Sequence, residues 1–122
     1  MEKRPVMTTL PSHTYFEQLL GRGSIESEEP LPSLAVVYFT ATWCKKCKTF
    51  DLPKIMSALP QATWYKNDID ENENSYAYSS LRSIPSFVVI KDKKYMGKFD
   101  RETEMKGGVT EENIITWLKH FV

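Results

Sequence analysis

No stretch of this sequence stays apolar for the roughly 20 residues that a bilayer-crossing helix needs. The charged start at Glu2, Lys3 and Arg4 is not followed by the apolar core of a secretory signal, so a cytoplasmic location is expected. Net charge is absent too, because 16 Lys and Arg balance 16 Asp and Glu. That balance argues against domain-wide attraction to nucleic acid or to an anionic membrane, both of which call for a basic excess. Histidine is limited to His13 and His120, both expected at the surface, and a closed tetrahedral metal site within one chain is disfavoured. Cysteine is as scarce. Cys44 and Cys47 are the only two, and a bridge between them closes too small a loop to staple a fold. Their spacing points instead to redox chemistry or metal binding.

What is present is the composition of a folded domain. A chain of 122 residues with 41% hydrophobic and 12% aromatic residues can bury one core, and a single domain over 1–122 is expected. Val6 to Leu10 favours a strand, and Ser12 can cap a helix carrying Tyr15, Phe16, Leu19 and Leu20, stopped by Gly21 and Gly23. Gly21 to Ser33 is polar, acidic and proline-interrupted, the pattern of a surface loop inside a domain. Leu34 to Phe39 is a continuous apolar, β-branched run, as in a strand buried on both faces. After Cys44, residues Leu52, Ile55, Met56 and Leu59 recur at helical spacing, with Pro53 predicting a kink. Trp64 to Ile69 reads as a strand, Asp70 to Ser75 as a polar run, and Tyr76 to Leu81 as a short helix. Phe87 to Ile90 and Tyr95 to Phe99 read as a hairpin joined through Lys91 to Lys94. Thr110 can cap a last helix with Glu111 and Glu112 in its first turn and Ile114, Trp117, Leu118 and Phe121 on one face. The order βαβαβαββα predicts an α/β fold with a mixed sheet covered on both faces.

The chemistry is concentrated in Trp43-Cys44-Lys45-Lys46-Cys47, at the turn from a buried strand into a helix. Unpaired amides and the positive helix end favour a thiolate on the first cysteine, while the second lies one turn further in, shielded but close. Such a pair can attack a disulfide through Cys44 and release it through Cys47. Trp43, next to the nucleophile at a turn, is expected to be exposed, whereas Trp64 and Trp117 are expected in the core. Lys91, Lys93, Lys94, Lys98 and Arg101 are read as a solvated hairpin, since Asp92 and Asp100 interrupt them and no stacking aromatics are interleaved. Asp68, Asp70, Glu71 and Glu73 lack the oxygen-ligand spacing and glycine of a calcium loop.

From Leu34 to Gly108 the chain resembles the thioredoxin family. WCKKC after a buried strand, Ile69-Asp70-Glu71-Asn72, Ile84-Pro85-Ser86-Phe87 and Gly107 before the last helix occur in that family's order. The resemblance implies a thioredoxin-like fold with a four- to five-stranded sheet and a protein-disulfide oxidoreductase with Cys44 and Cys47 as the catalytic pair. It implies no cofactor beyond an electron donor such as a thioredoxin reductase or glutathione. It places Trp43, Ile84, Pro85 and Gly107 in a substrate groove and implies a cis Ile84–Pro85 bond beside the dithiol, presenting the Ile84 backbone to a bound peptide and keeping metal from the sulfurs. Because only about 5–6% of X–Pro bonds in folded proteins are cis, that expectation rests on the resemblance alone. Protein disulfides are the expected partners, with no nucleic acid and no membrane, and a monomer is expected.

Three departures from the family pattern stand out. Tyr38 occupies the position of a buried aspartate that handles the proton of the resolving thiol, although Lys66 matches the lysine that accompanies it. Lys45-Lys46 replaces Gly-Pro, with Lys48 beyond and no acid nearer along the chain than Asp51. Three ammonium groups there predict a lowered Cys44 pKa and a more oxidising potential; solvated, screened lysines are the alternative. Pro53 lies one position further from the cysteines than the family's helix proline, and Thr40 replaces a tryptophan. A second function stays open on these grounds: a thioredoxin-fold interaction module or redox sensor with weak or no reductase activity.

Overall fold

A computed structural model of the chain describes residues 6–22, 31–81, 83–101 and 108–121. The strands are β1 (Met7–Thr9), β2 (Leu34–Thr40), β3 (Thr63–Asp68), β4 (Ser86–Lys91) and β5 (Lys94–Phe99). The α-helices are α1 (His13–Leu19), α2 (Leu52–Met56), α3 (Glu73–Tyr78) and α4 (Glu111–Leu118), with 3-10 turns at Lys46–Thr49 and Lys119–Phe121. This is the predicted order. The strands form one five-stranded sheet, β1-β3-β2-β4-β5, in which β3 runs parallel to β1 and β2 while β4 runs antiparallel to β2 and β5. The predicted mixed sheet is therefore observed.

All of β2 is buried, which is why its sequence is a continuous apolar run rather than an alternating one. Successive side chains still point to opposite faces. Leu34, Val36 and Tyr38 of β2, Trp64 of β3 and Phe87 and Val89 of β4 pack with Ile55, Met56, Ile114 and Leu118 of α2 and α4, in the cluster that includes both cysteines. Ala35, Val37 and Phe39, with Tyr65, Val88 and Ile90, face Phe16 and Leu19 of α1 on the other side. Helix starts follow local chemistry: the Ser12, Asp51, Asn72 and Thr110 side chains each accept a backbone N–H from the first turn.

Four expectations are corrected. No single kinked helix follows the cysteines. A 3-10 turn ends at Thr49, Phe50 is extended, and α2 starts afresh at Leu52 with Asp51 as its cap. Pro53 sits in the first turn of α2, where its missing N–H is one the helix would leave unpaired anyway. Leu59 lies beyond that helix. Next, α3 begins at Glu73, inside the run read as polar, because the Asn72 side chain accepts from the Ser75 N–H at 3.2 Å. Finally, His13 is not a bare surface residue: its Nδ1 lies 2.9 Å from the buried Ser75 Oγ and its Nε2 3.2 Å from Glu17 Oε1, tying α1 to α3. His120 is exposed as expected. Gly23, Gly107 and much of the Gly21–Ser33 loop lie outside the described residues. Among the described residues no helix is long and apolar enough to cross a membrane.

Candidate active site

The site forms where the central strand β2 ends. Beyond Thr40 the chain turns, with the Cys44 N–H donating to the Ala41 carbonyl at 3.1 Å, and enters the 3-10 turn that carries Cys47. Cys44 and Cys47 are joined in a disulfide, with Cα atoms 5.4 Å apart. Each residue is 6% exposed, so in this oxidised form the first cysteine is as buried as the second. The Cys47 N–H donates to Cys44 Sγ at 3.2 Å. An amide aimed at that sulfur stabilises negative charge on it. The 3-10 turn of four residues is too short for a substantial helix dipole, so this one amide replaces the predicted helix end.

The residue before the dithiol and the loop across from it complete the rim. Trp43 is 62% exposed, as predicted, and its Nε1–H donates to Asp70 Oδ2 at 2.9 Å. Asp70 is not among the expected site residues: it lies two positions beyond the end of β3, and no spacing in the sequence ties it to Trp43. The Ile84–Pro85 bond is cis, as the resemblance implies. Pro85 is buried, and Ile84 packs against the cluster that holds both sulfurs.

Beneath the dithiol lies a cavity of about 350 Å³ lined by residues that include Tyr38, Thr40, Cys47, Lys48, Lys66 and Asp68. Strand register explains this company: Tyr38 lies opposite Lys66 and Thr40 opposite Asp68, all on the face that packs the cysteines. Tyr38 is 2% exposed and stacks on Phe87 with ring centroids 5.0 Å apart. Its hydroxyl donates to the Cys47 carbonyl oxygen at 3.4 Å and is also hydrogen-bonded with the Thr40 side chain. Burial pushes the Tyr38 phenol up, against a smaller opposing effect of the Thr40 bond, so it stays protonated at neutral pH. It is placed to hold the backbone of Cys47, not to accept a proton. Lys66 reaches the same cavity, whereas Lys45 and Lys46 are exposed between the two cysteines. Among the described residues no group of three or more His, Cys, Asp and Glu converges as a metal site.

Comparison with known proteins is consistent with this geometry. The family model for thioredoxin matches residues 25–120. Thioredoxin H-type 1 of Nicotiana tabacum is 37% identical over 89 residues, covering 71% of this chain and 66% of the relative. Mitochondrial thioredoxin-3 of Saccharomyces cerevisiae is 35% identical over 65 residues, covering 52% and 51%. The matched stretches thus span about half to two thirds of these curated relatives. The crystal structure of the oxidised form of that yeast protein superposes with a TM-score of 0.71 at 26% identity, covering 93% of this chain and 94% of the other.

Proposed function

Because the chain belongs to the thioredoxin family, we propose that it catalyses thiol–disulfide exchange with protein disulfides through Cys44 and Cys47. The observation that carries this reading is the Cys44–Cys47 disulfide with the Cys47 amide donating to Cys44 Sγ. The reaction starts from the reduced pair. The Cys44 thiolate attacks one sulfur of a substrate disulfide, and the other substrate sulfur leaves as a thiolate and takes up a proton. Cys47 then loses its proton and attacks Cys44 Sγ, breaking the mixed disulfide and releasing the second substrate thiol. The Cys44–Cys47 disulfide described above is the product of that step. An electron donor such as a thioredoxin reductase or glutathione returns two electrons.

In this reading Trp43, Ile84 and Pro85 form the substrate groove, with Asp70 holding the Trp43 indole, and Gly107, outside the described residues, is assigned to the groove by the family resemblance alone. Lys45 and Lys46 tune Cys44, and Lys66 acts from the cavity that Cys47 lines. The chain works as one domain and as a monomer in the cytoplasm; since one relative carries a mitochondrial name, fractionation of the producing cell is the check on location.

The test is insulin reduction together with trapping. Cys44→Ser is expected to abolish turnover, and Cys47→Ser to accumulate a mixed disulfide that runs as a larger species until dithiothreitol releases it. Full biological activity in both variants would move the function to an interaction module on the same fold.

A further inference from the structure

The turn that carries the dithiol also carries three lysines, Lys45, Lys46 and Lys48, which bear on which substrates the exchange accepts. A 3-10 turn repeats about every three residues, so Lys46 and Thr49 share one face of the turn, and its cap Lys45 lies above Lys48. Two contacts fix this arrangement: the Lys48 N–H donates to the Lys45 carbonyl at 3.2 Å, and Thr49 Oγ1 donates to the Lys46 carbonyl at 2.7 Å. All three lysines are exposed, and among the described residues none is ion-paired with a carboxylate. Trp43 is tied to Asp70, beyond which Glu71 and Glu73 are exposed along a cleft of about 520 Å³, while Asp68 lines the same cavity as Cys47 and Lys48. The chain is neutral as a whole, so these three lysines are a local feature of the turn and not an effect of net charge.

We propose that the lysine rim selects, among protein disulfides, those whose attacked cysteine has Asp or Glu within about three residues on the flank that meets Lys45, Lys46 and Lys48. This inference names a substrate class for the exchange activity proposed above and rests on that reading. A segment docking its sulfur against Cys44 lies beside the two lysines between the cysteines. Its carboxylates there meet unpaired ammonium groups, while lysines there meet like charge. Complementary charge acts mainly on the rate of productive encounter and is screened by salt, with a Debye length of about 30 Å at 0.01 M and about 3 Å at 1 M.

The test uses three peptide disulfides that differ only in having Glu, Gln or Lys beside the attacked cysteine. Each kcat/KM is divided by that peptide's rate with dithiothreitol, which removes intrinsic differences between the leaving thiols. At low ionic strength the Glu peptide is expected to be reduced about tenfold faster than the Lys peptide after this correction, with Gln between them. The ratio is expected to fall below about twofold in 1 M salt. It is expected to fall likewise in Lys45→Gln/Lys46→Gln/Lys48→Gln. A changed Cys44 reactivity in that variant scales all three peptides alike and leaves the ratio untouched. A corrected ratio near one at low ionic strength, a ratio insensitive to salt, or one unchanged in the triple variant overturns the proposal and leaves the exchange reading standing. No reduction of any peptide overturns both.

Discussion

Replacing Tyr38 by Phe and by Ala separates what its hydroxyl does from what its ring does. The ring is 2% exposed, stacks on Phe87 and lies at the centre of the sheet face that packs the cysteines. Tyr38→Phe keeps that packing and removes the hydroxyl with its bonds to the Cys47 carbonyl oxygen and the Thr40 side chain. At 3.4 Å the first of these is long for an O–H···O bond, so the loss of the two together is expected to cost about 1 kcal/mol, near the mean for one buried hydrogen bond. In a domain of this size that lowers Tm by about 3–5 °C. Tyr38→Ala also removes the ring and is expected to cost about 3–5 kcal/mol, as for other buried aromatics. Urea unfolding of the oxidised protein, with m-values compared, gives both numbers. Since the hydroxyl bonds the Cys47 backbone and burial keeps the phenol protonated, Tyr38→Phe should leave the pH midpoint of thiol exchange in place. Equal costs for the two variants would refute the account of the ring, and a shifted pH midpoint would refute the account of the hydroxyl by making it a proton carrier.

Neutralising the residues between the cysteines, Lys45→Gln with Lys46→Gln, is expected to raise the Cys44 thiol pKa. Taking a separation of about 8 Å from the sulfur for each ammonium in water-like dielectric, the two contribute together about 1 kcal/mol, so the reduction potential should become more negative by about 20 mV. Titration of thiolate absorbance and equilibration with glutathione measure the two; no change in either would mean the lysines are fully screened. At alkaline pH the tyrosines set the trend: Tyr95 is pushed up to about 12, first by burial and then by Asp100 and Tyr78, while Tyr38, Tyr65 and Tyr76 are raised too, chiefly by burial. Unfolded tyrosines ionise near 10, so the stability these groups contribute is fully present below about pH 10 and lost as pH rises toward about 12. Urea melts from pH 8 to 11 should show stability flat and then falling, and a continued rise above pH 10 would contradict these directions. Asn72→Ala removes the cap of α3 and is expected to cost about 1 kcal/mol, read from the urea midpoint; a cost under about 0.3 kcal/mol would mean the cap carries nothing.

Much of the architecture is legible residue by residue. The all-apolar Leu34–Phe39 run marks the central strand, Ser12 and Thr110 mark helix starts, and the hairpin follows from two β-favouring runs with a polar turn. Asp92 and Lys93 take positive φ there, the backbone hand that a tight hairpin demands even without glycine. The break after Thr49 was not legible. Leu52, Ile55, Met56 and Leu59 fit one helical period, but the Asp51 N–H is held by Glu111 Oε2 at 2.6 Å, at the start of α4 sixty residues away. The start of α3 is hard to see for a different reason, since Asn72 before Glu73 is a cap signal hidden in a polar run.

By itself the sequence determined the order of elements and the spacing of the two cysteines, because periodicity, capping and turn chemistry act between residues a few positions apart. The cis bond at Pro85 was expected only through family resemblance, as nothing in the dipeptide itself calls for it. Tertiary structure alone decided that Trp43 is held by Asp70, that the Tyr38 hydroxyl reaches the Cys47 carbonyl, and that Lys66 and Asp68 share a cavity with the resolving cysteine. Those meetings depend on strand register and on which faces pack together, and these are settled by burying the whole core at once.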